Sequence, residues 1–384
     1  MTQEVERRYA NIRRALADAG LDACLVCGSE YTGFDGAVLY VSGFQIVHRY
    51  AYVLIPLDEE PTLVCPSEAR YVGEHGASWI DDQVFAEAPG KWLRDRFRER
   101  GWRRVGVHGL DYVMTVRDFR ALSAGDTELL AFDEQFDLAR AVKSEAELRS
   151  VRESMRINEE GFRRVLEAYE PGKTEAEIMA PSASYFVAAG TGRHAMNMVL
   201  SGERGRSLPE FKIASETRRV APDDLLLYSL EIAGPGGHWV EFSRALIAGE
   251  PSETTAAMAE AYAEYGEAIT GAMRDGATAH DVHRAASQPF LKRGYSLGHV
   301  TGHSIGMTMI EHPRIGEGIE VELRENMVFS CHPHVIAENG STLYMQDTFL
   351  IGKSTGEPLS QVPLRLFGGS ESRARGSRLG SSPA

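Results

Sequence analysis

An α/β domain followed by an α+β domain is what this sequence predicts, and three observations carry the prediction. Over roughly the first third of the chain, short apolar runs alternate with segments of helical period. Two Ser/Thr-x-x-Glu signatures, Ser144 with Glu147 and Thr174 with Glu177, then open successive helices. Beyond Pro222, strand-like runs return on either side of two further helical segments.

Taken in order, residues 8–19 repeat apolar side chains at helical spacing, and 23–26 is a short apolar run. Residues 50–56, 62–65 and 105–108 are further strand candidates, which places the first domain at residues 1–135. Cys24 and Cys27 stand at C-x-x-C spacing, but three residues apart on a buried strand they point to opposite faces, which argues against a redox pair. The second domain, 136–367, opens with the helix that Ser144 caps, running to residue 169, and the one that Thr174 caps. Residues 225–230 read as a buried strand, with 239–247 as an antiparallel neighbour. Residues 254–273 are Ala-rich with helical spacing, Thr278 caps another helix through 291, and strands resume near Val300. From 368 to 384 Gly, Ser and Arg dominate with no apolar period, so a disordered tail is expected.

The 384 residues, 43% of them hydrophobic, suffice for a large core shared between two domains. A net charge of −14, from 41 basic and 55 acidic side chains, repels polyanions and argues against nucleic acid or an anionic membrane surface as partner. No apolar run nears the roughly 20 residues that span a bilayer, and the N-terminus lacks an apolar signal core, so a cytoplasmic location is expected. Four cysteines in this length do not make a disulfide framework.

The segment Gly298-His299-Val300-Thr301-Gly302-His303-Ser304-Ile305-Gly306 concentrates the chemistry, with Ser330-Cys331-His332-Pro333 and Met345-Gln346-Asp347-Thr348 downstream. Together with the N-terminal pattern and the linker at 138–144, this order of motifs resembles the pita-bread enzymes aminopeptidase P, prolidase and creatinase over residues 5–367. The resemblance implies a creatinase-like N-terminal domain, a pita-bread catalytic domain and a homodimer. In the peptidases of that family, two Asp, one His and two Glu hold two metal ions. By resemblance, His303 takes the metal-ligand His position and His299 the substrate-facing one. Ser229, or Glu231 in a shifted register, stands for the first Asp, and Glu241 for the second. His332 and Gln346 stand for the two Glu, and Ile310 replaces a proton-shuttling His. Creatinase works without metal on this fold and shares the Gly302-His303-Ser304 variant, but Lys212 stands where creatinase has its catalytic His.

Loss of most ligand carboxylates removes the charge that balances two divalent cations. The expectation is therefore a metal-independent enzyme without cofactor, acting by acid–base chemistry on a small amino-acid-like, amide or amidino substrate, chiefly by carbon–nitrogen hydrolysis. His303, His299, Glu241 and Lys212 are the expected catalytic groups. His332, Gln346, Tyr344, Trp239 and Arg244 are the expected substrate contacts, with His238 beside Trp239 facing the same cleft. Three alternatives stand: elimination or decarboxylation by the same groups, an Xaa-Pro-type metallo-aminopeptidase with a remodelled site, and a non-catalytic binding protein. In the metal-holding alternative, His303, His332 and Glu241 take one Zn, Fe or Mn ion, since a His-rich, carboxylate-poor set suits a single such ion. Cys331 is expected to be buried packing.

Overall fold

The computed structural model describes residues 2–70, 78–191, 193–202 and 213–368; Lys212 and the tail beyond 368 lie outside the described residues. The chain divides into two compact units, Met1–Ala141 with Met307–His312, and Val142–Gly306 with Pro313–Ala384. Residue 135, where the sequence places the first domain's end, falls within a helix, Asp133–Ala141.

In the first unit, α1 (Gln3–Ala19) starts at Thr2, whose hydroxyl accepts from Val5 N, and stops at Gly20, held at φ 63°. It buries Val5, Tyr9, Ile12 and Leu16, a stripe at helical spacing. The strands are β1 (Ala23–Ser29), β2 (Tyr50–Pro56), β3 (Thr62–Pro66), β4 (Asp82–Ala86), β5 (Arg104–His108) and β6 (Glu128–Ala131). They order as β4-β3-β2-β1-β5-β6, with β1 antiparallel to β2 and parallel to β5. Helices α2 (Gly36–Ser42), α3 (Pro89–Arg100), α4 (Val116–Leu122) and α5 (Asp133–Ala141) complete the unit. A strand covered on both sides is apolar over most of its length, and all seven residues of β1 are buried. Cys24 packs into the core with α1, whereas Cys27 packs into the other with Leu93 and Phe97 of α3, as alternation requires. Both thiols are free, and burial pushes both well above the ordinary range.

The first unit also carries a buried charge cluster. Arg140 meets Asp137 at 2.7 Å and Glu311 at 3.1 Å, and it donates to Thr308 at 3.0 Å. The backbone N–H of His312 donates to Asp137 at 2.9 Å, so residues 307–312 are held against α5. Burial alone would raise the Asp137 carboxyl, but Arg140, then His108 and the His312 N–H, hold it well below the usual range.

The second unit opens with α6 (Glu145–Ala168) and α7 (Glu175–Ala188), each started by the capping box read in the sequence. Next come β7 (Arg193–Gly202), β8 (Leu225–Ala233) and β9 (Trp239–Ile247), an antiparallel meander that β18 (Leu366–Gly368) extends in parallel beside β9. Between them lie α8 (Glu253–Ala272), α9 (Ala279–Leu291) and two further sheets. One is β12-β11-β13-β16-β17, built from β11 (Gly302–Ser304), β12 (Glu311–Ile315, of which Pro313 onward lies in this unit), β13 (Val328–Cys331), β16 (Asp347–Leu350) and β17 (Glu357–Pro358). The other joins β10 (Ser296–Leu297), β14 (His334–Ile336) and β15 (Thr342–Tyr344). Period-two alternation divides the meander. Tyr228 and Phe242 pack on Phe162 of α6, with ring centroids 5.5 and 5.2 Å away, so Ser229, Glu231, Glu241 and Ser243 occupy the opposite face. Among the described residues no helix is long and apolar enough to cross a membrane.

Candidate active site

The face of β8 and β9 turned away from Phe162 carries the polar cluster, because the register sets Ser229 opposite Ser243 and Glu231 opposite Glu241. Hydrogen bonds fix β9 to the β16 region: Glu241 N donates to Thr348 Oγ1 at 3.1 Å, and Gln346 N donates to Ser243 Oγ at 2.6 Å. Trp239 N donates to Gly306 O at 2.7 Å, which ties the start of β9 to the end of the His303 segment. Gly302 is required where β11 meets β13, since a Cβ there would sit 2.2 Å from Ser330 O. That close pairing sets His303 opposite Ser330, whose hydroxyl donates to Glu241.

Glu241, His303 and His332 converge and are all buried, with candidate ligand atoms within 4.8 Å of one another. His303 Nε2 lies 3.4 Å from Glu241 Oε1, and His332 Nε2 lies 4.0 Å from Glu241 Oε2. His303 Nδ1 sits 3.0 Å from Ser304 O, a contact that places a proton on Nδ1 and turns the Nε2 lone pair inward. Burial works against the charge of Glu241, yet His303, then His332 and the Ser330 hydroxyl, hold its carboxyl below the ordinary range. For His303 burial opposes the proton, and Glu241 outweighs burial and raises it. For His332 burial prevails and pushes it down to about 4 against the pull of Glu241, leaving a neutral imidazole. Burial, followed by the charge of Glu241, pushes Glu231 well above the usual carboxylate range.

The donor set passes a test of fit for one divalent cation. One carboxylate and two imidazoles are a familiar set for zinc or iron, and a buried site excludes competing water. Among the described residues, His332 Nδ1 and Glu231 Oε2 are buried without a hydrogen-bond partner, the mark of a polar site built for something more than itself. The set does not provide the carboxylates of a pair of ions, because Ser229 Oγ donates to Gln346 Oε1 at 2.6 Å and both side chains are neutral.

Of the other expected residues, His299 is exposed, its ring 4.9 Å from that of His332. Tyr344 is buried 6.2 Å from the His332 ring, and its oxygen accepts from Gln346 Nε2 at 2.8 Å. Trp239 shares the face of Glu241, two residues away, and is buried. Arg244 is placed differently from the expectation. It alternates to the other face of β9, stacks 4.3 Å over Phe242, and its guanidinium nitrogens donate to Ser243 O, Gln346 O, Val362 O, Pro363 O and Asp347. It binds chain rather than substrate. His238 is likewise drawn to α6, 2.9 Å from Ser150 Oγ. Cys331 is fully buried, as packing requires. Ser330 and Ser243 escaped the sequence reading, and Glu231 entered it only as an alternative ligand. The strand register exposes all three, since each shares a face with Glu241 or pairs with His303.

Sheet and cluster together define a hydrolase of the pita-bread class. The chain belongs to the metallopeptidase family M24, which matches residues 149–353, and residues 8–142 match the Creatinase/Prolidase N-terminal domain. It is 26% identical over 374 residues to a Mycobacterium tuberculosis protein named Probable dipeptidase PepE, covering 94% of this chain and 96% of that one. It is 25% identical over 359 residues to an Xaa-Pro dipeptidase of Lactobacillus delbrueckii subsp. lactis, covering 88% and 93%. The crystal structure of dipeptidase PepE from Mycobacterium ulcerans superposes with a TM-score of 0.80 at 23% identity, over 95% of this chain and 98% of that one.

Membership of a metallopeptidase family overturns two expectations, the metal-independent reaction and the absence of a cofactor. The replaced carboxylates suggested that the metal had been lost. In the fold, however, the surviving carboxylate meets two imidazoles, and these suffice for one ion. Membership of a peptidase family supports a hydrolase.

Proposed function

We propose that this chain is a metal-dependent dipeptidase, acting on dipeptides of the Xaa-Pro type, with a divalent cation held by Glu241, His303 and His332. The observation that carries the proposal is the buried convergence of those three ligand atoms within 4.8 Å. The names of the curated relatives, dipeptidase and Xaa-Pro dipeptidase, support the substrate class. When bound, the cation supplies Lewis-acid charge at the scissile carbonyl. The protein's own groups do the rest. Ser330 donates to Glu241 and orients its carboxylate, and Ser304 O fixes the tautomer of His303. His299, exposed beside His332, reaches substrate and hydrogen-bonds the reacting amide. Tyr344 remains a neutral hydroxyl, since burial and then the charges of Glu241 and Glu231 raise its pKa well above the ordinary value. The proposal extends to a cytoplasmic homodimer, and light scattering that returns a monomer removes the dimer.

Elemental analysis of the purified protein, paired with hydrolysis of an Xaa-Pro and non-proline dipeptide panel, tests the reading. Bound Zn, Fe or Mn and chelator-sensitive release of proline are expected. Metal-free protein that hydrolyses none of the panel after reconstitution overturns the proposal.

A further inference from the structure

We infer that the side-chain amide of Gln346 occupies the place of a second cation, so that the chain binds one divalent ion and Gln346→Glu opens a second site. The inference rests on the reading of Glu241, His303 and His332 as cation ligands and adds the stoichiometry that the surrounding polar groups impose.

Three oxygens surround Gln346 Nε2: Glu231 Oε1 at 3.2 Å, Glu241 Oε2 at 3.2 Å and Tyr344 Oη at 2.8 Å. An amide nitrogen owns two protons, so three acceptors exceed what it can satisfy. Oxygens gathered around one electropositive centre, two of them from carboxyl groups, are the arrangement a hard cation takes. The amide cannot swing away. Its oxygen accepts from Ser229 Oγ at 2.6 Å, and the backbone carbonyl of Gln346 accepts from Arg244 at 2.7 Å and from Ser243 N at 3.2 Å. An independent observation points the same way: Glu231 Oε2 is buried and has no hydrogen-bond partner among the described residues. Glu231 thus brings one oxygen to the amide and holds another in reserve. A carboxylate at position 346 would join those of Glu231 and Glu241 and the Tyr344 hydroxyl in an all-oxygen set suited to Mn2+. Glu241 would then lie between the two ions.

The full-length protein is stripped with chelator, loaded with a mixture of Zn2+ and Mn2+, and passed through a desalting column. Total divalent ions per chain are counted by elemental analysis and by native mass spectrometry. Wild type and Gln346→Met retain one ion, whereas Gln346→Glu retains two and shows a spin-coupled pair by electron paramagnetic resonance when loaded with Mn2+ alone. Stripped Gln346→Glu melts below wild type and regains the difference on adding Mn2+. Wild type retaining two ions overturns the inference and leaves the dipeptidase reading intact, whereas wild type retaining none overturns the cation-ligand reading and the inference with it. Folded Gln346→Glu retaining one ion also overturns the inference. The wild-type count decides the stoichiometry even where the glutamate variant fails to fold.

Discussion

The first unit buries Asp137 and Glu311 around Arg140, and the second buries Glu231 and Glu241 beside His303 and His332. Both clusters bring two carboxyl groups and nitrogen bases together away from water, yet they behave in opposite ways. A guanidinium keeps its charge at any physiological pH, so in the first cluster Arg140 overcomes the burial that would raise Asp137 and lowers its pKa. Imidazole is charged only conditionally. In the second cluster burial strips His332 of its proton and pushes Glu231 toward its neutral form, while Glu241 and His303 share the remaining charge. The first cluster contains its own permanent cation and reads as architecture. The second lacks one, and the proposed divalent ion would supply it.

The largest expected effect breaks the first cluster. Arg140→Ala leaves Asp137 and Glu311 buried without their cation and costs about 3–5 kcal/mol, read from the urea unfolding of the first unit. A loss below about 1 kcal/mol would mean that the guanidinium is not what holds residues 307–312 to α5. The mirror experiment is Glu241→Gln, which keeps the Ser330 hydrogen bond but removes the anionic ligand. Stability changes by about 1 kcal/mol or less, while Zn2+ retention through desalting and dipeptide hydrolysis both disappear. If stability collapses instead, Glu241 is as architectural as Asp137 and the contrast fails.

A smaller effect sharpens the contrast through pH. The folded Asp137 carboxyl lies below its ordinary value of 3.8, so its contribution is present at neutral pH and above the unfolded pKa, and is lost as pH falls through the lower folded value. The urea midpoint of the first unit should fall between pH 5 and about pH 2, and Asp137→Asn should flatten that slope. An unchanged slope would assign acid sensitivity to other carboxylates. The smallest expected effect lies outside both clusters: Ser144→Ala removes the hydroxyl that accepts from Glu147 N at 3.2 Å and costs about 1 kcal/mol by thermal unfolding.

That last residue marks how far the sequence could be read. Ser144 with Glu147 and Thr174 with Glu177 were legible because a capping box is local, and both boxes form. The first helix begins earlier than its apolar period suggests, since Thr2 caps it ahead of a polar first turn. Motif order singled out His303 and Glu241, and the fold brings them together. The work given to Arg244 was not, because it depends on carbonyls at residues 346, 362 and 363, more than a hundred positions away.

The sequence by itself determined the capped helices, the family and which side chains to look for in a site, since periodicity, caps and motif spacing act over a few residues. Tertiary structure alone decided which carboxylate keeps its charge, that Gln346 lies between Glu231 and Glu241, and that residues 307–312 belong with the first unit. The physical reason is that burial and through-space distance set proton affinity and hydrogen-bond partners, and neither is a property of neighbouring positions in the chain.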